Sequence, residues 1–208
     1  MKKAVLVILL VLASTPLLAR VGRPHADQEE PQHLFEAGKY QELVSFVGGK
    51  RDDGNVDPAW TYLAGQSYLR MNDARRAAEE FGRLESSDEA VWKAVGESAK
   101  KLAESDEDAA LDAATRAVKS DGNNLYANYQ LGMALLHKSS FTRAAEAFAK
   151  ATQIDARFAY AHYYAGHSYY KAKRVDQMAK YWAAFLKLAT EAPERAAVES
   201  IMKTVKGR

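Results

Sequence analysis

The sequence predicts an all-α chain built from short antiparallel helix pairs, and three observations predict it. From Pro31 onward apolar residues recur every three or four positions, the spacing of one helical face, and no segment alternates with the period of two of a half-buried strand. Gly, Asn, Asp, Ser or Pro interrupt that pattern every 12 to 17 residues, which leaves room for three or four helical turns. The pattern also copies itself at an offset of 34 residues: Gly132 corresponds to Gly166, Leu131 to Ala165, Leu135 to Tyr169, Ala144 to Met178 and Phe148 to Trp182.

The chain opens on Lys2 and Lys3, an apolar run from Ala4 to Leu12, then Ser14, Thr15, Pro16 and a small residue at Ala19. A charged start, apolar middle and small end make residues 1–19 a secretory signal peptide, with cleavage after Ala19 and Ala26 as a second site. The competing reading is an uncleaved anchor, the one route to a membrane. Its 16 residues from Ala4 to Ala19 span about 24 Å, short of the hydrocarbon layer. Either way the remainder is exported, to the bacterial periplasm or the cell exterior. Residues 20–30, with Glu29 and Glu30, are expected to be a disordered N-terminal segment.

The helical units follow. Leu34 to Val47 supplies the end of one helix and most of a second, and the stretch Lys50 to Asp57, with Gly54 and Asn55, is the longest expected loop. Asp57-Pro58 caps a helix and starts it with proline. In that unit Gly65, Tyr68, Ala77 and Phe81 take the places held later by Gly132, Leu135, Ala144 and Phe148. The weakest copy, Val91 to Asn124, keeps Ala110, Ala114 and Ala117 but has Ser98 where the others have glycine. Ser105-Asp106-Glu107-Asp108 sets a hydroxyl cap and acids at a helix start. Asp121 to Asn124 breaks the chain before the fourth unit. The units begin near Pro24, Pro58, Val91, Leu125 and Ala159, giving spans 24–57, 58–90, 91–124, 125–158 and 159–192 within a repeat domain 31–192. After Pro193, Ala197, Val198, Ile201 and Val205 form one apolar stripe, so 193–208 is expected to be a capping helix and tail.

These residues resemble the tetratricopeptide repeat (TPR), a 34-residue helix-turn-helix unit, over about Gln28 to Thr190. The resemblance implies a right-handed superhelical solenoid. Glycines 65, 132 and 166 would let two helices approach closely, with Phe81, Phe148 and Trp182 plugging the contact with the next unit.

Composition narrows function by exclusion. Zero cysteines exclude disulfides, thiolate metal sites and a cysteine nucleophile. The formal charge is +2, and removing Lys2 and Lys3 leaves basic and acidic residues equal in number, so nothing points to nucleic acid. No phosphate-binding glycine loop, nucleophile elbow or zinc-binding histidine pair is present, and His162 and His167 point to different sides of their helix. The chain is therefore read as no enzyme, with no cofactor and no metal.

Aromatic residues carry the positive signal. Eight of the eleven tyrosines follow residue 125. The family resemblance implies that the first helix of each unit lines a concave groove. Its positions here are Tyr62, Gln66 and Arg70, then Trp92, then Tyr126, Tyr129, Gln130, Met133 and His137, then Tyr160, Tyr163, Tyr164, His167, Tyr170 and Lys171. Helical spacing groups Tyr160, Tyr163, Tyr164, His167 and Tyr170 independently. Two readings stay open: the tyrosines pack against neighbouring helices, or they form a binding strip for another protein or peptide in an envelope scaffold. A glycan or small ligand stacked on the rings is the alternative. The positions used by family members that grip carboxylates hold Tyr62, Val95, Tyr129 and Tyr163, none cationic, which argues against a cytosolic co-chaperone. Self-association through the same surface also stays open.

Overall fold

A computed structural model describes residues 26–52 and 56–206; the expected signal peptide 1–19, residues 20–25, residues 53–55 with Gly54 and Asn55 of the expected loop, and the last two residues lie outside them. Among the described residues there is no strand. Five antiparallel helix pairs run in chain order, α1 Ala26–Glu36 with α2 Tyr40–Asp52, α3 Pro58–Arg70 with α4 Ala74–Glu85, α5 Ala90–Ala103 with α6 Glu107–Ser120, α7 Leu125–His137 with α8 Phe141–Ile154, and α9 Ala159–Lys171 with α10 Val175–Leu188. The final helix is α11 Arg195–Lys206. Each helix packs on the next, as in an all-α solenoid. Helix α1 begins at Ala26, inside the stretch 20–30 expected to be irregular, and α2 runs to Asp52, which shortens the loop expected from Lys50.

The register shows in the turns. Gly38, Asn72, Ser105, Ser139 and Lys173 all have positive φ, between 54° and 75°, one in the turn inside each pair. That left-handed residue reverses the chain and lets the following N–H groups close on the end of the first helix. Carboxylates and amides then start the next helices: Asp57 accepts from the Ala59 N–H (2.8 Å), Asp73 from Arg76 (3.0 Å) and Asn124 from Ala127 (3.0 Å). At α6 the cap is Asp106, accepting from Ala109, while Ser105 is the left-handed turn residue rather than the expected hydroxyl cap.

Within pairs, the expected close approaches are present. A Cβ on Gly65, Gly132 or Gly166 would collide with the ring of Phe81, Phe148 or Trp182, at 2.6 Å in the case of Gly132. These rings are fully buried against their own unit's glycine, and Phe148 also stacks on Tyr164 of the next unit at 5.4 Å. The third unit inverts the arrangement. Ser98 takes the glycine's place, and Ala114 of α6 stands where the others have a large ring. Room left by the missing ring accommodates the hydroxyl, which donates to the Ala110 carbonyl at 2.8 Å. Gly96, a residue the sequence pattern does not single out, lets α5 sit directly on α4: a Cβ there would come within 2.6 Å of the Phe81 carbonyl.

At the C-terminal end, α11 covers part of the last pair. Val198 is buried, Ile201, Met202 and Val205 are partly so, and Ala197, expected in the apolar stripe, faces outward.

Candidate functional site

The first helices α3, α5, α7 and α9 line the inside of the curve, but the expected open trough between them is filled by the chain itself. Tyr62 on α3 reaches past α5 to α7, where its hydroxyl donates to Gln130 (2.7 Å) and its ring meets Tyr126 at 5.3 Å. Gln130 in turn donates to Ser98 (3.0 Å), so a buried relay runs from Tyr62 through Gln130 and Ser98 to the Ala110 carbonyl. Tyr129 packs among Phe148, Phe158 and Tyr164. Tyr62, Tyr129 and Tyr160 are 0%, 1% and 0% exposed. Burial pushes the hydroxyls of Tyr62 and Tyr129 well above the usual phenol range, so they remain neutral donors.

The first and last pairs then meet. Phe35 on α1 lies 5.0 Å from Tyr160 on α9. Arg70 at the end of α3 is ion-paired with Glu194, donates to the Tyr164 hydroxyl at 2.9 Å, and lies 4.9 Å over the Tyr160 ring. Tyr160 donates to the same carboxylate at 2.8 Å. Gly38 abuts Pro193, and Lys39 pairs with Glu191 at 3.5 Å. The most informative contact is Glu36. Helix α9 follows Phe158, which offers no side-chain cap, and Glu36 supplies it from 123 residues away by accepting the Ala159 N–H at 2.7 Å. Burial pushes the Glu36 carboxyl up to about 7 despite that bond. Beside it, between His33 and Leu188 to Glu191, is a cavity of about 20 Å³, the size for one water.

The candidate binding residues therefore divide. Tyr62, Gln66, Trp92, Tyr129, Gln130 and Tyr160 are buried, and they meet other side chains of the chain rather than an open surface. Arg70, Tyr126, Met133, Tyr163, Tyr164 and His167 are partly buried. Burial raises Tyr163 to about 12, while the same cause, helped by Lys171, lowers His167. His137, Tyr170 and Lys171 are exposed. The ring faces that a sugar would stack on are mostly covered by other rings. Helical spacing carries no information on how tightly successive units curve, and curvature is what closes the trough.

An open surface remains at the end of the array. A groove of about 350 Å³ lies between the α9–α10 turn and α11, lined by Tyr170, Lys173, Val175, Ser200, Ile201, Thr204 and Val205. Tyr170 and Val175 are 42% and 43% exposed, and Tyr170 is held by the Trp182 ring at 5.7 Å. The apolar stripe of α11 was legible in the sequence; that it leaves this gap beside the last turn was not. Among the described residues no group of His, Cys, Asp or Glu is arranged to hold a metal ion, and no helix is long and apolar enough to cross a membrane.

No protein-family model and no curated protein matches the chain. Solved structures do. TTC0263, a thermophilic TPR protein of Thermus thermophilus, is similar over 86% of this chain and 96% of its own, with 14% identity and a TM-score of 0.61. YrrB, described as a TPR protein with an unusual peptide-binding site, is similar over 84% of this chain and 89% of its own, with 18% identity and a TM-score of 0.50. The fold is that of a tetratricopeptide-repeat solenoid, as the 34-residue pattern predicts.

Proposed function

We propose that this chain is a non-catalytic interaction scaffold of the cell envelope that holds a protein or peptide partner. The observation that carries the reading is the use of the buried polar groups. Arg70, Glu194, Tyr160, Tyr62, Gln130 and Ser98 are spent on holding one helix to another, and none converges on an open cavity as a nucleophile, base or acid would. A solenoid of this kind offers side chains on rigid helices along its length, which suits protein recognition. The likeness in fold to a TPR protein described with a peptide-binding site supports the same reading. The leader Met1 to Ala19 supports export, so the partner is sought in the envelope rather than the cytosol.

Photo-crosslinkers placed one at a time at exposed positions (Thr115, His137 and Tyr170) and activated in envelope extract test it. The expected result is a discrete crosslinked protein from at least one position. Crosslinks only to sugars or murein fragments, or none from any position, would discard the scaffold.

A further inference from the structure

We propose that the groove between the α9–α10 turn and α11 docks an acidic peptide segment through one apolar side chain, a proposal that rests on the scaffold reading and names the partner's chemistry. Its volume of about 350 Å³ is enough to seat one leucine or phenylalanine side chain and its neighbours. The floor is apolar, from Val175, Ile201 and Val205. One wall is Tyr170, an exposed ring already fixed by Trp182, so little freedom is lost when a ligand covers it.

Charge selects the ligand. Lys173 lines the groove, in a turn that reads Lys171, Ala172, Lys173, Arg174, and all three cations are exposed. Among the described residues no ion pair holds Lys171 or Lys173, while Arg174 lies over the Tyr169 ring. Of the nearby acids, Glu199 is engaged by Arg195 at 3.1 Å, which leaves Asp176. An apolar floor with an unpaired cationic lip complements carboxylates flanking an apolar side chain and repels a basic segment.

The turn itself carries a second sign. In the first four pairs the left-handed turn position is a small residue, Gly38, Asn72, Ser105 or Ser139, of which glycine and asparagine favour positive φ. In the fifth it is Lys173, at φ 60°, a residue type that gains nothing from that conformation and that here lines the groove. A long cationic side chain where the other four turns carry small residues fits a functional demand on that side chain.

Fluorescence polarisation with two labelled peptides, Asp-Glu-Leu-Phe-Glu-Asp and Lys-Lys-Leu-Phe-Lys-Lys, tests the proposal on the full exported chain. The acidic peptide is expected to bind and the basic one not, with affinity falling as salt rises. Lys173→Glu and Val175→Glu should each weaken binding about tenfold or more, with circular dichroism unchanged. Lys173→Asn separates the site from the fold: it should weaken binding while leaving the melting temperature equal or higher, because asparagine accepts the left-handed turn. Absence of acidic-peptide binding, equal binding of the basic peptide, or binding untouched by Lys173→Glu overturns the proposal. So does a dimer in light scattering that Lys173→Glu abolishes, which would give the groove to a second copy. An envelope protein captured at Thr115 or His137 but not at Tyr170 removes the groove and leaves the scaffold standing; capture nowhere removes both.

Discussion

Tyr160 and Tyr170 belong to the same helix, ten residues apart, yet one is wholly buried and the other is 42% exposed. The inner end of α9 meets α1, α3 and the segment before α11, so Tyr160 is covered by Phe35, Arg70 and Glu194. Its outer end has α10 on one side and only a partial cap on the other, so Tyr170 rests on Trp182 and faces the groove. A repeat array buries aromatic surface wherever another unit can reach it and exposes it where the array ends. Residue type alone does not separate the two cases; the position of the neighbouring unit does.

That contrast is open to attack by mutation, and the largest effect is expected inside. Gly132→Leu forces atoms into the Phe148 ring and should cost about 3 kcal/mol by overpacking, read from the urea midpoint. Tyr160→Ala should approach that figure, since it opens a cavity and leaves Glu194 without its hydroxyl donor.

The closure contact predicts a pH dependence. Because the Glu36 carboxyl titrates near 7 in the fold and near 4.5 in the unfolded chain, the folded state holds the extra proton between those values. This group's contribution is therefore most favourable below about pH 4.5 and is lost as pH rises through 7, by about 2 kcal/mol between pH 5 and pH 7. Glu36→Gln keeps an oxygen for the Ala159 N–H and should remove that slope; equal slopes in the two proteins would show that Glu36 is not buried at the α9 start. Ser98→Ala comes next, at about 1 kcal/mol, because it strands the Gln130 amide in the interior. Tyr170→Ala should be smallest, within about 0.5 kcal/mol, as for a surface substitution. If Tyr170→Ala destabilised as much as Tyr160→Ala, the distinction between the two ends of α9 would fail.

Much of the fold was legible because it is local and repeated. A glycine at 65, 132 and 166 facing a ring at 81, 148 and 182 is a packing rule written at a fixed spacing. The third unit departs from it at Ser98, and the compensation at Ala114 is visible in the sequence once the register is known. Contacts that close the curve are different. Glu36 to Ala159 and Arg70 to Glu194 link residues with no periodic relation, and Tyr62 to Gln130, two repeats apart, skips the unit between them. Their partners depend on the accumulated rotation from unit to unit, a sum of small packing angles that no single repeat encodes. The resemblance put Tyr62, Tyr129 and Tyr160 on the inner face of their helices, while their burial follows from the curvature. At the other end, Tyr170 was grouped by helical spacing and Lys171 placed by the family resemblance, but Lys173 and Val175 lie in a turn and at a helix start, where neither gives a signal.

The closure of the array is tested most directly by spin labels at its two meeting ends. The chain has no cysteine, so Lys39→Cys with Glu191→Cys gives a doubly labelled protein without background, at the cost of one exposed ion pair. Strong dipolar broadening between the nitroxides, present in the folded protein and abolished by urea, is the predicted result. Two non-interacting spectra in the folded protein would mean that the curve stays open and that the tyrosines of its inner face are available to a partner after all.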